Sequence, residues 1–147
     1  MSERWPDLAG RMEEGVHILP VRVYYEDTDG QDFVYHANYL RYCERGRTDF
    51  LRVNGIVQSS FGDGVFVVRR MVCDFLKPAR LDDLLEVETR VADAGGARLE
   101  LDQVVRLGEA NLFTARVTVA LIDGRGRPCR LPPDLLAVLK SRSESGS

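Results

Sequence analysis

Residues 24–47, YYEDTDGQDFVYHANYLRYCERGR, join a strand pattern to a long helix pattern. Upstream, in HILPVRVYYE, Val21 and Val23 share one face of an alternating segment, which predicts a strand. Downstream, residues suited to one helical face recur at three- and four-residue steps: Tyr39, Leu40, Cys43, Gly46, Arg47, Phe50 and Leu51. We therefore predict an amphipathic helix of about 16 residues. It should begin near His36 and end near Asn54.

Three carboxylates, Asp27, Asp29 and Asp32, lie just before this helix. The first turn of a helix offers unpaired N–H groups and a partial positive charge, so it stabilises an oxygen that develops negative charge during acyl transfer. A carboxylate beside such donors can act on a carbonyl carbon, as a nucleophile or by activating water, without a metal or organic cofactor. The same carboxylates can instead cap turns and the helix. The loop alone leaves both interpretations open.

The length and composition limit the class of protein. A chain of 147 residues that is 44% hydrophobic can build one well-packed core and is too short for two ordinary domains. Its net charge of −3, with basic and acidic residues intermixed, offers no basic stripe to nucleic acid. Cys43, Cys73 and Cys129 form no CxxC or Cys/His pair, which argues against a disulfide framework and a zinc site. We expect a cytoplasmic protein with reduced thiols and no transmembrane segment, because no apolar run approaches about 20 residues.

Four strand patterns and a short helix pattern follow residue 64. VFVVRRMVCDFLKP, DLLEVETRVADA, ARLELDQVVRLG and ANLFTARVTVALIDG are rich in Val, Leu, Phe and Thr, and turn-forming residues separate them. Pro132 and Pro133 predict the start of a closing helix. The order indicates an α+β domain in which one long helix packs on a five-stranded antiparallel sheet. We assign residues 18–140 to this domain, residues 1–17 to a flexible segment and residues 141–147 to a disordered tail.

The quoted segment resembles the hotdog-fold acyl-CoA thioesterases of the 4-hydroxybenzoyl-CoA thioesterase superfamily, particularly the branch encoded beside the Tol-Pal system. The matching stretches are VRVYYEDTD, VYHANYLRYCERGRTDFLR, LKPARLDDLLEVETRV and GRPCRLPPDLLAVL, which lie within about residues 20–139. The resemblance implies a hotdog fold, a long helix wrapped by a five-stranded antiparallel sheet, in homodimers and often homotetramers. It also implies cofactor-free, Asp-dependent hydrolysis of short-chain aliphatic or aromatic acyl-CoA. Acyl carrier protein and enzymes of phospholipid synthesis are the further partners that it implies.

The resemblance assigns roles to individual residues. The family's catalytic carboxylate, the second aspartate of its DTD element, corresponds to Asp29. The histidine seven residues later corresponds to His36, whose backbone N–H is expected to polarise the thioester carbonyl. The family tyrosine four residues before the aspartate corresponds to Tyr25, which is expected to hydrogen-bond to the carboxylate or line the acyl pocket, while Asp27 is expected to fix the loop. Tyrosines of the acyl channel and cations for the CoA phosphates are predicted to bind substrate: Tyr35, Tyr39, Lys77 and Arg80.

Each assignment has a structural alternative, namely helix capping or core burial for His36 and simple packing for the tyrosines. One position also departs from the family pattern, since relatives usually carry Gly where this chain has Asp32. Gly permits backbone conformations that Asp tolerates less well, so either Gly30 absorbs the turn or the loop takes a different path. A second hypothesis is therefore a non-catalytic acyl-CoA or acyl-carrier-protein binding protein of envelope lipid metabolism. A hotdog hydratase ranks last, because that subgroup carries its Asp and His in another pattern.

Overall fold

The computed structural model describes residues 4–56 and 62–145 as two helices and one antiparallel sheet. The strands are β1 (Arg11–Glu13), β2 (Val16–Arg22), β3 (Val65–Phe75), β4 (Leu84–Gly95), β5 (Arg98–Leu107) and β6 (Ala110–Ile122), and the helices are α1 (His36–Val53) and α2 (Pro133–Ser145). The strand order in the sheet is β1-β2-β4-β5-β6-β3. The predicted α+β architecture is confirmed, with six strands where five were predicted.

The additional strand lies in the N-terminal segment. Residues 1–17 are predicted as flexible from their sequence, but β1 and the first two residues of β2 fall within them. Gly10 and Gly15 have φ of +75° and +84°, so the chain turns there in a conformation that favours glycine. A strand of three residues has no period that a sequence pattern can detect. Similarly, α2 continues to Ser145, so most of the predicted tail is helical.

Helix α1 packs on β2, β4 and β5. The predicted buried face is largely confirmed, because Tyr39, Cys43 and Phe50 are buried. Leu40, assigned to the same face, is instead 40% exposed. Helix α1 approaches the sheet closely at Gly46, since a Cβ atom there would lie 2.9 Å from Val87 Cγ1. The absence of a side chain thus lets the helix lie directly on β4.

The two edges of the sheet differ. β1 is short, whereas β3 is 11 residues long and pairs with β6. Large apolar side chains along β3 and just after it are 42–53% exposed: Val65, Val68, Val72, Phe75 and Leu76. An edge of this kind is open to pairing with another strand.

In the described part of the chain, neither helix is long and apolar enough to cross a membrane.

Candidate active site

Asp27 fixes the loop between β2 and α1. Its Oδ2 accepts a hydrogen bond from Tyr24 N at 2.9 Å, and its Oδ1 accepts one from Asn38 Nδ2 at 2.8 Å. Its carbonyl oxygen also accepts a hydrogen bond from Tyr35 N at 2.9 Å. Asp27 therefore ties the 3₁₀ turn at Tyr25–Asp27 to the first turn of α1. The loop-fixing role predicted for Asp27 is confirmed.

Asp29 is exposed and sits in a turn of its own. Its backbone N donates to Phe33 O at 2.8 Å, and its Oδ1 accepts a hydrogen bond from Gln31 N at 2.8 Å. Among the hydrogen bonds of residues 4–56 and 62–145, none engages Asp29 Oδ2. One carboxylate oxygen is thus held by the loop, and the other is open to a ligand.

Asp32 takes up the unusual backbone conformation of this loop. Its φ is +71°, and its carbonyl oxygen accepts a hydrogen bond from Leu81 N at 3.2 Å. This φ lies in the left-handed region, which glycine adopts more readily than other residues and Asp tolerates at a cost. Gly30 does not have a positive φ. The expectation that Gly30 absorbs the turn is therefore wrong, and Asp32 itself adopts a glycine-like conformation.

A cavity of about 310 Å³ lies between this loop, the first turns of α1 and the end of β3. We call it the Asp29 pocket. Four of the residues predicted from the sequence line it: Asp29, His36, Tyr39 and Lys77. Sequence reasoning missed its other walls, among them Phe33 and Phe75. The pocket therefore brings a carboxylate, a helix N-terminus and a cation to one apolar cavity.

Aromatic rings form the inner wall of the Asp29 pocket. Tyr39 stacks on Phe113 with ring centroids 5.3 Å apart, and its hydroxyl oxygen accepts a hydrogen bond from Ala79 N at 2.8 Å. Burial raises the pKa of Tyr39, although the hydrogen bond from Ala79 opposes this shift. Phe75 makes T-shaped contacts with both Tyr39 and His36, with ring centroids 5.9 and 5.2 Å apart. Tyr39 thus forms a neutral part of the wall, and the His36 ring packs against Phe75.

The first turn of α1 presents backbone donors at the same place. His36 is the first residue of an 18-residue helix, and the preceding Tyr35 makes no side-chain capping hydrogen bond. Asn38 N donates to Tyr35 O at 2.8 Å. No acceptor in the described ranges engages the N–H groups of His36 or Ala37. These donors, together with the helix dipole, favour an anionic oxygen at this end of α1.

Three predicted residues do not line the Asp29 pocket. Tyr25 is 82% exposed, because the chain leaves the sheet for the 3₁₀ turn and does not continue the strand. Tyr35 is 55% exposed, with its ring centroid 6.3 Å from that of His36. Arg80 places its guanidinium 4.6 Å from the ring centroid of Phe33. Arg80 and Tyr35 are therefore neighbours of the pocket, and Tyr25 makes no described hydrogen bond to Asp29.

Lys77 is the predicted phosphate-binding cation that reaches the pocket lining. Its backbone N and that of Leu76 both donate to Leu112 O, at 3.1 and 2.9 Å, which anchors this segment to β6. Within residues 4–56 and 62–145, no group of three or more His, Cys, Asp or Glu side chains is arranged to hold a metal ion.

A sheet around a long helix, with a carboxylate at the helix N-terminus, is the arrangement expected of the predicted hotdog class. Residues 31–114 match the Thioesterase superfamily, and the chain belongs to that family.

Among its relatives, the acyl-CoA thioesterase YbgC of Haemophilus influenzae is 41% identical over 123 residues, which are 81% of this chain and 90% of that protein. A probable thioesterase from Bartonella henselae is 44% identical, with a TM-score of 0.70 over 80% of this chain and 98% of that one. A thioesterase from Thermus thermophilus, solved in complex with coenzyme A and Zn, is 26% identical, with a TM-score of 0.77 over 90% and 98%. The predicted hotdog family and the predicted enzyme class, a thioester hydrolase, are confirmed.

Proposed function

We propose that this protein hydrolyses acyl-CoA thioesters in the Asp29 pocket. The observation that carries the proposal is that Asp29 and His36 line one cavity at the N-terminus of α1. The relatives named as acyl-CoA thioesterases support coenzyme A as the thiol. The pocket is small and walled by aromatic rings, which favours a short-chain aliphatic or an aromatic acyl group.

The reaction needs a base or nucleophile and a site for the oxyanion. The thioester carbonyl oxygen lies at the first turn of α1, where the N–H of His36 stabilises the charge that develops on it. Asp29 Oδ2 takes a proton from water, the water oxygen attacks the acyl carbon, and the C–S bond breaks. The thiolate leaves and is protonated, and the free acid is released. Alternatively, Asp29 attacks the acyl carbon itself and forms an anhydride, which water then cleaves.

Self-association through β3 forms part of the proposal. The open edge of β3 carries exposed apolar side chains, and pairing with β3 of a second copy would cover them. Phe75 lies at the end of this strand and also contacts His36, so the proposed interface between copies lies next to the Asp29 pocket. Sedimentation equilibrium is expected to show a homodimer or homotetramer, and a monomer at micromolar concentration would contradict this part.

The test is thiol release from a panel of acyl-CoAs that contains short and long aliphatic chains and 4-hydroxybenzoyl. Asp29→Asn is nearly isosteric, so it should retain substrate binding while it loses turnover. The proposal predicts that wild type releases thiol from short or aromatic substrates and that Asp29→Asn does not. Binding of the panel by wild type without any thiol release would instead support the non-catalytic acyl-binding hypothesis. Acyl carrier protein loaded with the preferred acyl group tests the alternative thiol carrier.

A single turnover in ¹⁸O-labelled water tests the anhydride route. Label in the Asp29 carboxylate would indicate the anhydride, because water then attacks the Asp29 carbonyl of that intermediate. Label confined to the released acid would match either direct attack of water on the thioester or attack of water on the acyl carbonyl of the anhydride.

A further inference from the structure

A second cavity, of about 440 Å³, lies between α1 and strands β3, β5 and β6. Most of its lining residues are apolar: Leu51, Phe66, Val67, Val68, Leu99, Leu101 and Val119. Arg47 of α1 contributes a charged group to the lining, beside Glu44 and Thr48. We call it the Arg47 cavity. It shares no lining residue with the Asp29 pocket.

Arg47 is partly buried and makes no direct contact with a carboxylate of the described residues. Its Nη1 donates to Gln103 Oε1 at 3.0 Å. No carboxylate of residues 4–56 and 62–145 lies within 4.0 Å of its guanidinium nitrogens, including that of Glu44 in the same lining. Burial lowers the pKa of Arg47, although the charge of nearby Glu44 opposes this shift. A cation partly drawn out of water with no carboxylate in direct contact is incompletely neutralised, so the site favours an incoming anion.

The guanidinium is held in position by a buried network. Gln103 is 1% exposed, and its Nε2 donates both to Cys43 O and to Thr89 Oγ1, each at 2.9 Å. These two bonds orient the amide so that Oε1 faces Arg47. The close approach of α1 at Gly46 makes this contact possible, since a Cβ there would lie 3.2 Å from Gln103 Nε2. Arg47 is therefore pre-positioned, with further donors left for a ligand.

We propose that the Arg47 cavity binds an amphipathic carboxylate, namely a medium-chain fatty acid. The carboxylate accepts hydrogen bonds from Arg47, whose planar fork of donors matches a carboxylate in geometry and charge. The alkyl chain lies along the wall formed by residues such as Leu51 and Leu101, where burial of apolar surface is favourable. A fatty acid is of the same chemical class as the product of thioester hydrolysis. Binding at this cavity does not depend on chemistry at Asp29.

Isothermal titration calorimetry of the full chain with octanoate and with octan-1-ol tests the proposal. Wild type should bind octanoate more tightly than octan-1-ol, because the alcohol has the chain without the charge. Arg47→Gln should weaken octanoate by about tenfold or more, since it removes a charge-assisted hydrogen bond, and should leave octan-1-ol unchanged. Arg45→Gln, which removes an exposed arginine two residues away, is the matched control and should bind octanoate like wild type. Equal affinity of wild type for both ligands, or unchanged octanoate binding by Arg47→Gln, would overturn the proposal.

Two further variants keep the test decisive. Leu101→Phe adds bulk to the apolar wall and keeps Arg47, so it should weaken the binding of both ligands, and it tests the site even if Arg47→Gln fails to fold. Unchanged binding of both ligands would contradict the site. Asp29→Asn removes a negative charge from the first pocket, so octanoate bound there would bind this variant more tightly. Octanoate affinity that is the same for Asp29→Asn and wild type supports the Arg47 cavity, and tighter binding would overturn it. Because none of these measurements requires turnover, their outcome is independent of the proposed thioesterase activity.

Discussion

Gln103 is the residue whose replacement should reveal how strongly α1 is held to the sheet. It is 1% exposed and makes three hydrogen bonds, donating to Cys43 O and Thr89 Oγ1 and accepting from Arg47 Nη1. Gln103→Met keeps a side chain of similar length and removes all three bonds. Two of the former partners, Cys43 O and Thr89 Oγ1, are then left without this bond in the interior beneath α1.

The expected cost follows from those partners. An intramolecular hydrogen bond contributes about 1 kcal/mol net, and one to a charged group about 1.5–3 kcal/mol. Arg47 is only partly buried, so water recovers part of its loss. We therefore expect the free energy of unfolding to fall by about 3 kcal/mol. For a chain of this size, that corresponds to a decrease in Tm of about 6–12 °C.

Urea unfolding and thermal melting at equal protein concentration measure this change, since the Tm of an oligomer depends on concentration. Gln31→Met alters an exposed glutamine and is the matched control, expected to change the free energy of unfolding by less than about 0.5 kcal/mol. Combining Gln103→Met with Thr89→Val should cost less than the sum of the two single variants, because both remove the same bond. A loss below about 1 kcal/mol for Gln103→Met would refute the reasoning, since one net hydrogen bond accounts for that amount.

Three further changes have defined outcomes. Asp32→Gly should raise the free energy of unfolding by about 1 kcal/mol relative to Asp32→Ala, because φ of +71° strains any residue with a Cβ; equal urea midpoints would contradict this. Burial lowers the pKa of His17 below its ordinary 6.5, so the unfolded chain binds the proton more readily and the free energy of unfolding should fall as pH drops below about 6.5. His17→Gln should flatten the dependence of the urea midpoint on pH, and an unchanged dependence would contradict this. Asn54→Ala should lower the free energy of unfolding by about 2 kcal/mol. The Asn54 side chain donates from Nδ2 to Phe50 O and accepts at Oδ1 from Arg142 Nε at 2.6 Å, which links the end of α1 to α2. A Tm within about 2 °C of wild type would contradict this linking role.

The long elements could be predicted from sequence because each spans several repeats of its hydrophobic pattern. Helix α1 spans 18 residues and strands β3–β6 span 10–13 residues each, which gives an alternating or helical pattern several repeats to emerge. β1 could not, because its three residues are held by pairing with β2 and by turns at Gly10 and Gly15. Leu40 was assigned to the buried face of α1 but lies at the edge of that face. Only the packing of α1 against the sheet decides which edge of the face is buried.

The site was predicted only where its residues are close in sequence or matched a family motif. Asp29 and His36 lie seven residues apart, and the structure brings both to one pocket. Phe75 was missed because it contacts His36 from β3, and the sequence around Phe75 contains no pattern that indicates this contact. Arg47 and Gln103 are 56 residues apart in sequence. A charged residue on the predicted buried face of α1 was the available signal for the Arg47 cavity.

The central claim is that Asp29 carries out hydrolysis from the N-terminus of α1, and the rate of thioester cleavage by two neighbouring variants tests it most directly. Single-turnover hydrolysis of the preferred acyl-CoA is compared for Asp29→Asn and Asp32→Asn. Both remove one carboxylate from the same exposed loop, but only Asp29 lines the pocket. We predict that Asp29→Asn slows cleavage by about 10²–10⁴-fold while Asp32→Asn stays near wild type. Equal rates for Asp29→Asn and wild type would contradict the account.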